Sequence, residues 1–567
     1  MQDNLRLLAK KDPELAHLVG SAVPNREHAH ENLGTWWDSL ALDRTSVLYV
    51  YGLGGDLFSH ALPWLSAQTD RYLVLLEDDV GALCAFLERD DAAEAIRHPR
   101  VRFHLVTFHP DYYAGTHRLL EDLAWYYHGL EYQVAAIPPY QRSRPKASAL
   151  YATAIQLIND SARMDAASYL FNFLVPFVNI CANAPRTEGS RHARDLHGAL
   201  RDIPAVICGA GPSLAANGSL LHALGQKAAL FAGGAAISCL NAGQIYPHFG
   251  LGMDPFPARA LFFPFLIFET PYFYVSQLSS EGRDLLHGPL LFAPAPGRHP
   301  IARWFEERWE LSSPVDATGY TVSDFALKMA LHMGCNPILF VGMDLCLTTH
   351  YYAAGSSAPS RDLASLQLVE AHDIHGNPVS TKKDWLSSSR NIAHIASLHP
   401  DRQFFNCTEG GIGFQNIPNI SLREAIAAYL RTPHDIGGRI HAVLQETSSL
   451  HVPAAAVVKE LRVLEESLER CSHIADELSL GYRTFTQEKA PLCAQVEAEL
   501  AEEPAYRALL DEFVQATLKL SRRTIEASLQ THAPEAVHLR AKMELYAHVA
   551  SLAAAHRRAL TPLLAVL

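Results

Sequence analysis

Apolar and polar positions change their rhythm several times along the chain. The first residues, MQDNLRLLAKKDPELAHLV, repeat apolar positions at helical spacing with charges between them. Residues 46–55, SVLYVYGLGG, then form an unbroken apolar run that ends in glycines, the pattern of a buried strand entering a turn. A helical stretch from Phe58 to Ser66 and a second apolar run, RYLVLLEDD, complete a strand–turn–helix–strand unit. Residues 145–200 read as helical and connective. Strand patterns return in PAVICGAGPSL, KAALFAGGAAISCL, FGLGMDP and TPYFYVSQLS. After the helical TVSDFALKMALHMG comes NPILFVGMDL, and RQFFNCTEGG closes the series. Alternating strands and helices predict parallel sheets covered on both faces. From about residue 431 the strand signals stop. Val457, Leu461, Leu464, Leu468, Cys471, Ala475 and Leu478 follow one another at four- and three-residue steps, and two amphipathic helices follow Pro504 and Pro534. This seam reads as packing within the chain, with a docking surface for a protein partner as the alternative. The predicted organisation is an N-terminal α/β domain over 1–145, a central α/β domain with a helical connector over 146–430, and a helical domain over 431–567.

A length of 567 residues fits about three domains. With 49% hydrophobic and 19% charged residues the chain is globular. Lys and Arg total 47 against 60 Asp and Glu, a balance that argues against a general nucleic-acid binder. Nine scattered cysteines, an odd number without CxxC or zinc spacing, fit a reducing compartment. The N-terminus lacks the apolar core of a signal peptide, and LFFPFLIF (Leu261 to Phe268) is short and broken by Pro264. The expectation is a cytoplasmic protein.

Several segments can carry chemistry. Gly52, Gly54 and Gly55 end the first strand, and Glu77 ends the second, where nucleotide-binding folds hold a ribose. The spacing falls short of GxGxxG, so a tight turn is the plainer reading of the glycines. In Cys208-Gly209-Ala210-Gly211-Pro212-Ser213 a strand runs through glycines into a helix start. Such a start leaves N–H groups unpaired and favours an anion, to which the Ser213 hydroxyl adds a donor. An ordinary N-cap serine is the alternative. Asp254 and Asp344 each close a predicted parallel strand, and ligands of open α/β sheets bind at that rim. These acids can bind a hydroxyl or a metal, act as a base, or cap the next helix or loop. His350 is a possible general base, and Tyr351 and Tyr352 possible donors to a leaving phosphate. Asn406, Thr408 and Glu409 follow the last strand into a Gly-Gly turn at the same rim. No GxxxxGK[ST] occurs, and no DxD pair in the central domain. No metal or other cofactor is firmly implied.

Taken in order, GAGPSL, a strand ending in Asp-Pro, a GMDL followed by a His-containing loop, and NCTEGG resemble the central domain of motility-associated factor (Maf) flagellin glycosyltransferases. NLRLLAKKDPELA, VLYVYGLGGDLFSHAL and LVLLEDD are similar to that family's opening. GAGPSL also resembles the GNGPSL motif of bacterial sialyltransferases, which lies at their CMP-sugar site. The resemblance implies an α/β fold class: two Rossmann-like α/β domains, the central one sialyltransferase-like, then an all-helical domain. It implies transfer of a nonulosonic acid, of pseudaminic or legionaminic type, from its CMP-activated form to Ser or Thr hydroxyls of flagellin. Gly209, Gly211, Pro212, Ser213, Asn406, Thr408 and Glu409 would then face the donor, with Asp254, Asp344, His350, Tyr351 and Tyr352 nearest the reaction. Ala210 stands where sialyltransferases carry Asn, and Met343 where the family often has Gln. Two other classes remain: an ATP- and Mg²⁺-dependent hydroxymethylpterin pyrophosphokinase, for which Asp254 and Asp344 would be metal ligands, and a non-catalytic flagellin-binding chaperone.

Overall fold

The unbroken apolar runs become strands buried on both faces, which is why they show no alternation. The computed structural model describes residues 1–28, 30–107, 113–256, 269–297, 299–315, 317–347, 352–353, 356 and 368–567. SVLYVY supplies β1 (Val47–Tyr51), buried at every position. With β2 (Tyr72–Glu77), β3 (Val101–Leu105) and β4 (Tyr132–Ala136) it makes a parallel sheet of order β3-β2-β1-β4. The amphipathic N-terminal stretch splits into helices Gln2–Lys11 and Pro13–Gly20. Pro13 fits the first helical turn, where no N–H is needed, and Asp12 caps that turn by accepting from the Leu15 N–H at 2.9 Å. Residues 1–166, together with 519–523, form one compact unit.

The glycine turn of this unit is closed. Gly52 has φ 96°, and a Cβ there would stand 2.7 Å from the Tyr140 ring. A Cβ on Gly55 would stand 2.4 Å from the Glu31 carbonyl oxygen. Glu77 is only 1% exposed. Its Oε1 accepts from the Asp78 and Asp79 N–H groups and from the Tyr140 hydroxyl at 2.9, 2.9 and 2.7 Å. Burial pushes its carboxyl up to about 8. The cavity beside the turn measures about 20 Å³, room for about one water. The glycines therefore serve a tight turn, and Glu77 is a buried brace with no ribose to hold.

Residues 167–518 and 524–567 form the second unit. Its strands are β5 (Arg191–His192), β6 (Ala205–Cys208), β7 (Ala229–Gly233), β8 (Phe249–Gly252), β9 (Tyr272–Tyr274), β10 (Leu290–Phe292), β11 (Ile338–Val341), the hairpin β12 (Leu368–His372) and β13 (Pro378–Lys382), and β14 (Phe404–Asn406). Eight of them make one parallel sheet of order β14-β11-β6-β7-β8-β9-β10-β5. The order reverses at β6: later strands first run outward through β7 to β10, then return on the other side as β11 and β14.

Among the C-terminal helices, Ala454–Arg483 carries the predicted seam. Val457, Leu461, Leu464, Leu468, Cys471, Ala475 and Leu478 are all 3% exposed or less. They share one continuous core with Tyr274, Phe292 and Leu339 of the sheet, so the seam is internal packing. Residue 430, expected to end the central domain, falls inside this unit. The fold is thus two parallel α/β sheets followed by a helical C-terminal region. All nine cysteines are free and buried. Among the described residues no single helix is long and apolar enough to cross a membrane; residues 261–268 lie outside them.

Candidate functional site

A cavity of about 480 Å³ opens where β6, β7, β8 and β11 end, beside the point at which the strand order reverses. Open parallel sheets bind ligands at such a point. The loop after β6 forms one wall. Glycine is required at two of its positions by close approach. A Cβ on Gly209 would lie 2.4 Å from the Gly342 carbonyl oxygen, and one on Gly211 would lie 1.9 Å from Asp344 Oδ2. The N–H groups of Gly209 and Gly211 donate to the carbonyls of Val341 and Gly342, both at 2.8 Å. Pro212 opens a 3-10 helix, Pro212–Asn217, in place of the expected α-helix. Ser213 donates to Asp344 Oδ2 twice, from Oγ at 2.8 Å and from its N–H at 3.3 Å. The anion that Ser213 meets is therefore this chain's own carboxylate.

Asp344 is 4% exposed and lines the cavity; its side chain holds the loop after β6, and its backbone the loop after β14. Burial raises its pKa, and the two bonds from Ser213 work against that rise. Its carbonyl accepts from the Ile412 N–H at 3.0 Å. Gly411, at φ 73°, makes room for this: a Cβ there would come within 2.1 Å of that carbonyl oxygen. Asp254 differs. It lines the same cavity but is exposed, and Oδ1 accepts from the Phe256 N–H at 2.8 Å. The structure thus brings Asp254, Asp344, Gly209 and Gly211 to one cavity, with Ser213 bonded to Asp344 behind it.

Asn406, Thr408 and Glu409 are not among the lining residues. Asn406 Nδ2 donates to Asn419 Oδ1 at 2.7 Å, and its Oδ1 accepts from the Thr408 N–H at 3.2 Å. Thr408 Oγ1 accepts from the Met343 N–H at 3.2 Å, and Glu409 Oε1 accepts from the Leu422 N–H at 3.2 Å. The three brace the loops after β11 and β14. Tyr352 lines the cavity, whereas His350 and Tyr351 lie outside the described residues.

Other lining residues had not been singled out. Gly233 ends β7, Gly234 and Ala235 follow it, and helix Ala235–Ala242 starts there; Gly234 turns the chain with φ 53°. Thr321, Val322 and Ser323 begin helix Val322–His332 on another wall. The first N–H groups of a helix have no acceptor within it, so two helix starts turn their positive ends toward this space. Lys382, at the end of β13, is the one cationic side chain among the described lining residues, and its Nζ lies 4.4 Å from the centre of the Trp385 ring. The turn Asp373-Ile374-His375-Gly376-Asn377 was the sequence signal for the hairpin that carries it. Among the described residues no group of three or more His, Cys, Asp or Glu is placed to hold a metal ion.

Residues 178–350 match the family model for 6-hydroxymethylpterin diphosphokinase MptE-like proteins. No curated protein sequence matches the chain. Among solved structures, the Maf glycosyltransferase from Magnetospirillum magneticum AMB-1 is similar with a TM-score of 0.55 and 14% identity, covering 100% of this chain and 97% of that one. The cavity just described lies largely within the MptE-like segment and gains Lys382 and Trp385 from beyond it. From its first helix to its last, the chain is similar in fold to the Maf glycosyltransferase, and a segment at its centre matches the MptE-like model.

Proposed function

We propose that this protein is a glycosyltransferase that moves a nonulosonic acid, of pseudaminic or legionaminic type, from its CMP-activated form to a Ser or Thr hydroxyl of flagellin in the cytoplasm. The observation that carries this reading is the cavity at the strand-order reversal, in a chain that shares its whole fold with a glycosyltransferase. Its size suits a nucleotide with an attached sugar. The glycine wall at 209–211 lets a flat group lie against backbone. The start of helix Ala235–Ala242 and Lys382 offer the phosphate its positive surroundings. In the reaction the bond between the sugar's anomeric carbon and the phosphate oxygen breaks, and its electron pair leaves with CMP. The acceptor oxygen forms the new bond and gives up its proton. Asp254, exposed in the cavity, takes that proton. Asp344 already accepts two bonds from Ser213 and keeps the glycine wall in place.

A second reading, an ATP-dependent transfer of diphosphate to a pterin, takes its chemistry from the description of the MptE-like model, whose match supports neither reading specifically. The two separate in one experiment. CMP should raise the melting temperature of the purified protein, and at a hundredfold excess over Kd the gain is about 2.7 kcal/mol. A rise with ATP and Mg²⁺ and none with CMP would transfer the assignment to the second reading.

A further inference from the structure

Among the described residues two capping boxes share one design, and one of them does more than cap. At helix Leu422–Tyr429, Ser421 and Glu424 exchange bonds with each other's backbone, and Glu424 is exposed. At helix Val322–His332, Thr321 and Asp324 do the same, but Asp324 is fully buried. Its Oδ2 accepts from the Thr321 N–H at 2.7 Å, the Thr321 hydroxyl at 2.9 Å and the Ser388 hydroxyl at 3.0 Å. Its Oδ1 accepts from Asn391 Nδ2 at 2.8 Å. A capping box needs only the first of these bonds. Two of the others, from Ser388 and Asn391, come from a different helix, Lys383–Ser397. Burying a carboxylate is costly unless its oxygens are satisfied, and here partners from both helices satisfy them.

The two helices tied in this way are both cavity walls. Thr321, Val322 and Ser323 line it from one, and Lys382 and Trp385 from the start of the other. Trp385, Ser388 and Asn391 follow at three-residue steps and so share a helix face. Asp324 itself is not a lining residue. We infer that Asp324, with Ser388 and Asn391, is a positioning residue that sets the spacing between the Thr321–Ser323 wall and the Lys382–Trp385 wall, and thereby the affinity for the CMP part of the donor. The inference rests on the function proposed above for what the cavity holds, but not for the tie between the walls.

The test is the double variant S388A/N391A, which keeps the Thr321–Asp324 capping box and cuts the tie. E424A, which breaks the other capping box, is the control for lost stability alone. In the ligand-free protein, hydrogen exchange should quicken in residues 319–325 and 382–388 of the double variant and stay at the wild-type rate there in E424A. The Kd for CMP should rise about tenfold in the double variant, with the donor KM rising and kcat within about twofold. E424A should bind CMP like the wild type. Wild-type exchange in both segments of S388A/N391A would overturn the inference. Wild-type protein that does not bind CMP would overturn the proposed donor instead, and the exchange comparison would still decide whether Asp324 ties the walls.

Discussion

At the strand-order reversal of the N-terminal sheet, between β1 and β4, the space above the glycine turn is filled. Tyr140 sits there fully buried, its ring against Gly52 and 5.1 Å from the Tyr51 ring, with its hydroxyl on Glu77. At the reversal of the central sheet, between β6 and β11, the corresponding space is a cavity of about 480 Å³. Both turns are made of glycines, and both have an acid at the end of a strand nearby. In the first case Tyr140, after β4, fills the space; in the second Tyr352, after β11, stands at the wall of a space that stays open. A glycine turn after a parallel strand is therefore only permission for a ligand. What the next element places above it decides whether a ligand enters.

The comparison can be broken from the N-terminal side. Tyr140→Ala should destabilise that unit by about 3–5 kcal/mol, because it removes a buried ring and leaves Glu77 short of a donor. Denaturant unfolding measures this, and CMP affinity should not move. An N-terminal unit that kept its stability and bound a nucleotide would show that Tyr140 is a removable plug rather than a core residue.

Glu77→Gln should act in the opposite direction and only above mild acidity. The folded unit holds the Glu77 proton up to about pH 8, whereas an unfolded chain releases it near the ordinary carboxylate value. Stability is thus fully present below that ordinary value and falls as pH rises toward 8, by at most about 1.4 kcal/mol per pH unit. Gln keeps the acceptor oxygen and needs no proton. The variant should match the wild type near pH 5 and exceed it by a few kcal/mol at about pH 8. Melting curves across that range that stay parallel would remove Glu77 from the account.

On the open side the stability effects are smaller and the functional ones larger. Asp344→Asn keeps an acceptor for Ser213 but weakens a charge-assisted pair, at a cost of about 1 kcal/mol. A looser glycine wall should show as weaker CMP binding in calorimetry. Asp254→Asn should change stability by less than about 0.5 kcal/mol, bind CMP normally and lose transfer to flagellin. Normal transfer by a folded Asp254→Asn protein would reassign the base.

Much of this was legible before any coordinates. The runs ending in GAGP, MDP, GMDL and NCTEGG are strands of one sheet, and their order already placed the loops at one rim. What stayed hidden were side-chain directions. Ser213 was read as a donor to a ligand, but Asp344, distant in sequence, takes both of its hydrogens. Pattern reading cannot pair residues across such a separation. Asn406, Thr408 and Glu409 looked like rim donors, yet backbone N–H groups left open by the turns claim their oxygens. Gly233 and Gly234 lay within the strand pattern KAALFAGGAAISCL and were not singled out, because a glycine carries no sign of what faces it. Lys382 ends an exposed hairpin outside the sheet and Trp385 lies in the helix that follows it, so neither closes a strand of the sheet whose rim the patterns located.

The continuous core of the second unit also fixes when the cavity can be finished as the chain is made. Asn179 and Asn183, on helix Leu174–Asn183, hold the carbonyls of Pro255, Ser276, Gln277 and Leu278 beside the cavity. The same helix leans its Phe177 ring on His556, at 4.7 Å, in the last helix, Pro534–Leu564. A chain still on the ribosome lacks that support until the residues of helix Pro534–Leu564 emerge. A stop codon anywhere ahead of them leaves Phe177 and the sheet face below it bare to water, where such surfaces associate. Helix Pro534–Leu564 is therefore not a detachable cassette: it completes the support behind the cavity.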